Sequence, residues 1–199
     1  MEAKEGPGSA EAGNRDFGMG RGKVFPASSA RSLLNPLRHV VQPPSRTVAA
    51  MALTAEARVL EIGCGPGYFS PYIARTIRSG FFVALDIQVE MLRINRTRLP
   101  EGSPGGLVSG DAIALPFSDA TFDSVFVATM LGEVPEPMRA LGEVRRVLRP
   151  DGVASFAETR RDSDFLSLSK LTRLVEGCHF KFLNRRGLRW QYVANFAAS

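Results

Sequence analysis

The stretch VLEIGCGPGYFS, residues 59–70, places three glycines (Gly63, Gly65, Gly67) within five positions, directly behind a short apolar run. Glycine weakens strands and helices, so such a cluster marks backbone that needs positive φ or that a ligand touches. Arg58–Ile62 has the composition of a short strand. Tyr68–Arg78 fits a helix, with Phe69, Ile73 and Ile77 four apart along one side. The glycines therefore make a strand-to-helix turn, which in a parallel α/β sheet lies at the carboxyl edge where ligands bind.

Downstream, strands and helices alternate. FFVALD (81–86) is a near-continuous apolar run, the mark of a parallel strand buried on both faces. Val89–Leu99 reads as a helix, Gly106–Ser109 as a weak strand and Ser124–Ala128 as a strong one. Pro137 suits a first helical turn, with Met138, Leu141, Val144 and Leu148 as the apolar stripe behind it. Pro150-Asp151-Gly152 reads as a turn into the strand Val153–Glu158. This alternation predicts a parallel sheet with right-handed crossovers. After a helix over Leu166–Glu176 it breaks: His179–Leu183 and Trp190–Phe196 read as strands joined at Asn184–Gly187, hence antiparallel to each other.

The 199 residues suit one main domain. Residues 1–23, rich in Gly, Ala and charge, are expected to form a disordered tail. Residues 24–53 are expected to be a helical lid segment: Leu33, Leu34, Leu37, Val40 and Val41 recur at helical spacing, Pro43-Pro44 stops that helix, and Ser45 is a plausible N-cap for a second. Residues 54–199 are expected to form the main domain. No run approaches the roughly 18 apolar residues of a membrane span. The N-terminus has no apolar stretch and carries Glu2, Glu5, Glu11 and Asp16, so neither a signal nor a transit peptide is expected, and the location expected is cytoplasmic.

Residues 1–50 carry 7 basic and 4 acidic side chains, and residues 51–199 carry 18 and 16, so the net +5 is weighted toward the first fifty residues and the main domain is close to neutral. That lowers the weight of a nucleic-acid partner. Two cysteines (Cys64, Cys178), two histidines and no CxxC pair argue against a zinc centre.

The glycine turn departs from the NAD fingerprint GxGxxG, whose third glycine would fall on Tyr68. It also lacks the Gly-Lys-Ser/Thr of a phosphate loop. Asp86 closes the second strand 23 residues after Gly63, placed to hold ribose hydroxyls. Together these point to a nucleoside ligand without a pyrophosphate.

EIGCGPG (61–67), Asp86, GDAIALPFSDATFD (110–123) and ALGEVRRVLRPDGV (140–153) together resemble the class I S-adenosylmethionine-dependent methyltransferases, nearest in flavour to a small-molecule branch that includes quinone-biosynthesis enzymes. The resemblance implies a Rossmann-like fold with a mostly parallel seven-stranded sheet closed by a C-terminal antiparallel hairpin. It implies S-adenosyl-L-methionine as cofactor and methyl transfer by in-line displacement to a small, apolar or amphipathic acceptor. It further implies that Glu61 reaches the cofactor's amino-acid end and that Gly63, Cys64 and Gly65 lie under its methionine and ribose. Asp86 would accept the ribose hydroxyls, Ile87 cover the adenine, Asp111 and Ala112 read the adenine edge, and Ala128 and Thr129 line the methyl side. No catalytic base is assigned; Glu133 and His39 are the acid–base candidates. The chain after the fourth strand reads ATMLGEVP, without the Asn/Asp-Pro-Pro-Tyr/Phe of many amino-methylating enzymes. Two alternatives are an RNA-modifying methyltransferase that uses the basic tail and Arg clusters, and a non-catalytic cofactor-binding partner protein.

Overall fold

The computed structural model describes Lys23 and residues 25–199; the tail expected over residues 1–23 lies, Lys23 apart, outside the described residues. These residues form a sheet of seven strands: β1 (Arg58–Ile62), β2 (Phe81–Asp86), β3 (Gly105–Ser109), β4 (Phe122–Ala128), β5 (Leu148–Thr159), β6 (Phe180–Leu188) and β7 (Gln191–Ala198). Their order is β3-β2-β1-β4-β5-β7-β6. β1 to β5 pair in parallel. β7 runs antiparallel to both β5 and β6, as the broken alternation predicts.

Side chains of successive strand residues point to opposite faces, so each strand feeds two cores. Leu60, Val83, Leu85, Val125 and Val127 pack with Leu141 and Val144 of α6 (Pro137–Val147) and with Leu171 and Val175 of α7 (Leu168–Glu176). Val59, Phe82, Ala84 and Phe126 pack on the other face with Val48 of α3 (Pro44–Ala49), Ile73 of α4 (Ser70–Thr76) and Leu92 of α5 (Val89–Arg96). By the same period, Glu61 shares the face of Val59, and Asp86 that of Phe82 and Ala84. Register sets Ile62 opposite Leu85, so the two acids close adjacent strands on one face.

Several local expectations need correction. The helix expected across Leu33–Val41 is broken into α1 (Ala30–Leu33) and α2 (Arg38–Val41). Pro36 supplies no amide and disfavours helical backbone at Asn35, whose Oδ1 instead accepts the Leu37 amide at 2.9 Å. The apolar stripe does not turn inward as a unit, since Leu37 is 68% and Val40 82% exposed. Pro43, not Ser45, precedes the first residue of α3, with Pro44 at N1. Met138 lies outside the buried stripe of α6. Pro150-Asp151-Gly152 is no turn: β5 runs through it, and the register shift between Phe122 and Ser124 absorbs the extra residues as a bulge. β6 likewise continues through Asn184–Gly187 with an irregularity between Phe182 and Asn184, and the chain reverses at Arg189–Trp190.

Candidate functional site

The order of the sheet reverses between β1 and β4, and a crevice opens there at the carboxyl ends of the strands. A cavity of about 390 Å³ occupies it. All ten residues expected at the site, Glu61, Gly63, Cys64, Gly65, Asp86, Ile87, Asp111, Ala112, Ala128 and Thr129, line this cavity.

The glycine turn forms the cavity floor. Gly63, Gly65 and Gly67 all have positive φ. At Gly63 (φ +67°) a Cβ would stand 2.6 Å from Met130 Cγ, so the turn after β1 can approach the loop after β4 only without a side chain. At Gly65 (φ +52°) a Cβ would face open cavity, with Leu33 Cδ1 the nearest atom at 3.8 Å. Bare backbone is thus presented to the space a ligand would fill.

Two buried carboxylates flank that backbone. Asp86 Oδ2 accepts the Gly65 amide at 2.8 Å, and its Oδ1 accepts the Gln88 amide at 2.9 Å. Burial raises its pKa, while those amide bonds pull the other way. Glu61 is 2% exposed, and its Oε2 takes the Ser70 hydroxyl at 2.6 Å. Asn95 Nδ2 in turn donates to Ser70 Oγ at 2.8 Å. Burial pushes the Glu61 carboxyl up to about 8, with the nearby Asp86 charge adding to the rise. Asp111 Oδ1 caps its own turn by accepting the Ile113 amide at 3.1 Å. Thr129, just past β4, adopts φ +48°, and its side chain is near enough to Asp162 to lower that carboxyl's pKa against the larger, opposite effect of burial.

Residues beyond the ten expected at the site close it. Tyr68, which occupies the third-glycine position of the NAD fingerprint, is buried and donates its hydroxyl to the Gln42 carbonyl at 2.8 Å. The residue that breaks that fingerprint thereby ties the segment before β1 to the glycine turn. Arg38 lies 4.1 Å over the Tyr68 ring, and its guanidinium donates to Gln42 Oε1 and the Leu33 carbonyl. Gln88 Nε2 donates to the Phe25 carbonyl at 2.7 Å, and Glu133 Oε2 accepts the Phe25 amide at 3.3 Å. Phe25 is thus strapped between the loops that follow β2 and β4. Asp162 and Asp164, beyond β5, line the same cavity. No spacing rule links positions 25, 38, 88 and 162, which only the fold brings together.

Of the two acid–base candidates, Glu133 lines the cavity and burial pushes its carboxyl up to about 8. His39 does not line it. Its ring sits edge-on to Tyr68, with centroids 5.2 Å apart.

Six carboxylates (Glu61, Asp86, Asp111, Glu133, Asp162, Asp164) and three basic side chains (Lys23, Arg38, Arg161) line the cavity. Such a lining suits a cationic ligand. Among the described residues, no helix is long and apolar enough to cross a membrane.

The methyltransferase domain family matches residues 60–156. The malonyl-[acyl-carrier protein] O-methyltransferase of Methylococcus capsulatus is 35% identical over 146 residues, which cover 73% of this chain and 48% of that protein. The demethylmenaquinone methyltransferase of Renibacterium salmoninarum is 38% identical over 112 residues, covering 56% of this chain and 45% of that protein. The chain spans about half the length of these curated relatives. A solved S-adenosylmethionine-dependent methyltransferase from Aquifex aeolicus superposes with a TM-score of 0.81 at 20% identity, over 88% of this chain and all of that one, and so shares the fold.

Proposed function

Because the chain belongs to the class I S-adenosylmethionine-dependent methyltransferases, we propose that it moves a methyl group from that cofactor to a small, apolar or amphipathic acceptor. The observation that carries this proposal is the pairing of open backbone at Gly65 with the buried carboxylate of Asp86, its hydrogen-bond partner. A ribose laid on that turn meets an acceptor for its hydroxyls on one side and Leu33 on the other. Glu61 stands ready for the cationic amino-acid end, and Asp111 with the Ala112 backbone for the adenine edge. Ala128 and Thr129 form the wall toward the acceptor.

When bound, S-adenosylmethionine supplies a methyl group already activated by its sulfonium. The chain's own task is then mainly to orient the acceptor and keep water out, and orientation of this kind supplies roughly 7–11 kcal/mol. Phe25, Leu33, Met130 and Val134 give the cavity apolar surface for that purpose. We take residues 24–53 as the lid, because Phe25, Leu33 and Arg38 all line the cavity and Tyr68, Gln88 and Glu133 hold the segment in place. Residues 54–199 are the methyltransferase domain in this proposal, and a cytoplasmic location, tested by cell fractionation, belongs to it as well. One relative is named for demethylmenaquinone and another for a malonyl group on an acyl carrier, which favours small-molecule acceptors over RNA.

The test is a transfer screen with radiolabelled-methyl cofactor against lipid, small-molecule, RNA and protein fractions of a cell lysate. Label entering the lipid or small-molecule fraction is expected. Label confined to RNA or protein contradicts the acceptor class, and no label in any fraction contradicts the activity.

A further inference from the structure

We propose that Glu133, Asp162 and Asp164 form a binding site for a hard divalent cation on the acceptor side of the cavity. Each of the three offers a carboxylate oxygen, and these oxygens all lie within 4.8 Å of one another. Glu133 follows β4 and the two aspartates follow β5, so neighbouring strands deliver them to one end of the crevice. The two loops nest because residue 132 is glycine. A Cβ there would stand 2.5 Å from the Asp164 carbonyl oxygen and 2.7 Å from its Cβ.

The independent sign of a ligand is Asp164. The residue is 5% exposed, yet among the described residues its Oδ1 has no hydrogen-bond partner. Its Oδ2 takes only the adjacent Ser163 hydroxyl, at 3.0 Å. Buried carboxylate oxygens are nearly always paired or bound to a metal, because an unpaired one forfeits its hydration. Asp162 is oriented by the Asp164 amide, which its Oδ1 accepts at 3.0 Å. Glu133 keeps a second carboxylate oxygen beyond the one that takes the Phe25 amide. The ion pairs of Arg139, Arg146 and Arg149 go to other acids, Glu136, Asp119, Glu143 and Asp123. Arg38 feels the Asp162 charge, but its guanidinium donates to Gln42 and Leu33.

An all-oxygen, all-carboxylate ligand set suits Mg²⁺, Mn²⁺ or Ca²⁺ and not zinc or copper. Oxygens that share one such ion, at bond lengths of about 2.0–2.6 Å, lie up to roughly 4–5 Å apart across it, which the observed spread allows. The sequence gives no metal signal because it offers no Cys/His spacing, and the three acids fall in two separate loops. A cation here would hold an acceptor oxygen and ease loss of its proton, which fits a cavity in which no base has been assigned. That role rests on the transferase proposal; the site itself does not.

The test is titration of the chelator-stripped full chain with Mn²⁺, read by loss of the free aquated Mn²⁺ electron paramagnetic resonance signal. One saturable site is expected, weakened about tenfold to a hundredfold in Asp164→Asn and Glu133→Gln with melting temperature retained. Asp162→Asn serves the same purpose if Asp164→Asn fails to fold. No saturable binding, or equal binding in all the folded variants, overturns the site. Calorimetry with S-adenosylmethionine in the presence of chelator is run alongside. Cofactor binding without Mn²⁺ binding removes only the cation site, whereas Mn²⁺ binding without cofactor binding removes only the transferase proposal.

Discussion

Asp86 Oδ2 accepts the Gly65 amide at 2.8 Å, so the last residue of β2 holds the turn that follows β1. The contact fixes the floor of the cavity, and it gives the glycines of that turn separable duties. A Cβ at Gly65 would meet only Leu33 Cδ1, in ordinary contact at 3.8 Å, whereas a Cβ at Gly67 would run into the Asn95 side-chain amide and stand 3.2 Å from its Cα. Both have positive φ, which costs a non-glycine residue about 1–2 kcal/mol. Gly65→Ala is therefore expected to lower stability by about that much and to lose cofactor affinity. Gly67→Ala should be the more destabilised of the two. Thermal melts and calorimetry on both variants check this, and equal stability losses would refute the separation.

Glu61 provides a pH signature. Its carboxyl is pushed up to about 8 from the usual 4.5, chiefly by burial. A raised acid pKa means that the fold favours the neutral form. The stability this contributes is complete below about 4.5 and is lost as pH rises through about 8. Wild type should therefore lose stability relative to Glu61→Gln across that window, which denaturant melts at several pH values measure. A cationic ligand end beside Glu61 reverses the preference, so cofactor binding near pH 7 should release protons. Calorimetry in buffers of different ionisation enthalpy detects the release, and an unchanged proton count in Glu61→Gln would remove Glu61 from the site.

The lid makes a length-dependent prediction. Removing residues 1–22 should leave melting temperature and turnover unchanged. Removing residues 1–42 takes away Phe25, Leu33 and Arg38 but leaves α3, so the domain should fold and cofactor bind while transfer is lost. Removing residues 1–53 should also unsettle the fold. Thr47, Val48 and Met51 are buried, the Asn195 side chain donates to the Ala50 carbonyl, and each large apolar side chain contributes about 1.5–3 kcal/mol. Full transfer activity in the 1–42 deletion would show that the segment is no lid.

The glycine turn, the place of Asp86 and the alternation of strands and helices were legible because each follows from local chemistry: positive φ, an acid closing a strand, a buried apolar run. The hairpin of β6 and β7 was legible as antiparallel, but its reversal point was not. Asn184–Gly187 has turn composition, yet the structure keeps those residues in strand pairing and turns at Arg189–Trp190. Periodicity misled in the segment before β1, where Pro36 breaks the helix that Leu33, Leu37 and Val41 trace on paper. The strap at Phe25, the Arg38–Tyr68 stack and the Asp162–Asp164 loop depend on contacts between distant segments, which no single-segment pattern encodes.

The central claim is that a S-adenosyl nucleoside rests on Gly65 and is held by Asp86. Asp86→Asn keeps the side-chain shape while removing the charge, and hydrogen bonds to a charged group contribute about 1.5–3 kcal/mol each. Isothermal titration of wild type and Asp86→Asn with S-adenosylhomocysteine, with NAD as the control ligand, tests it most directly. The account predicts one saturable site in wild type, about a hundredfold weaker in the folded variant, and no NAD binding. Wild-type protein that fails to bind S-adenosylhomocysteine, or a variant that binds it within about threefold of wild type, would contradict it.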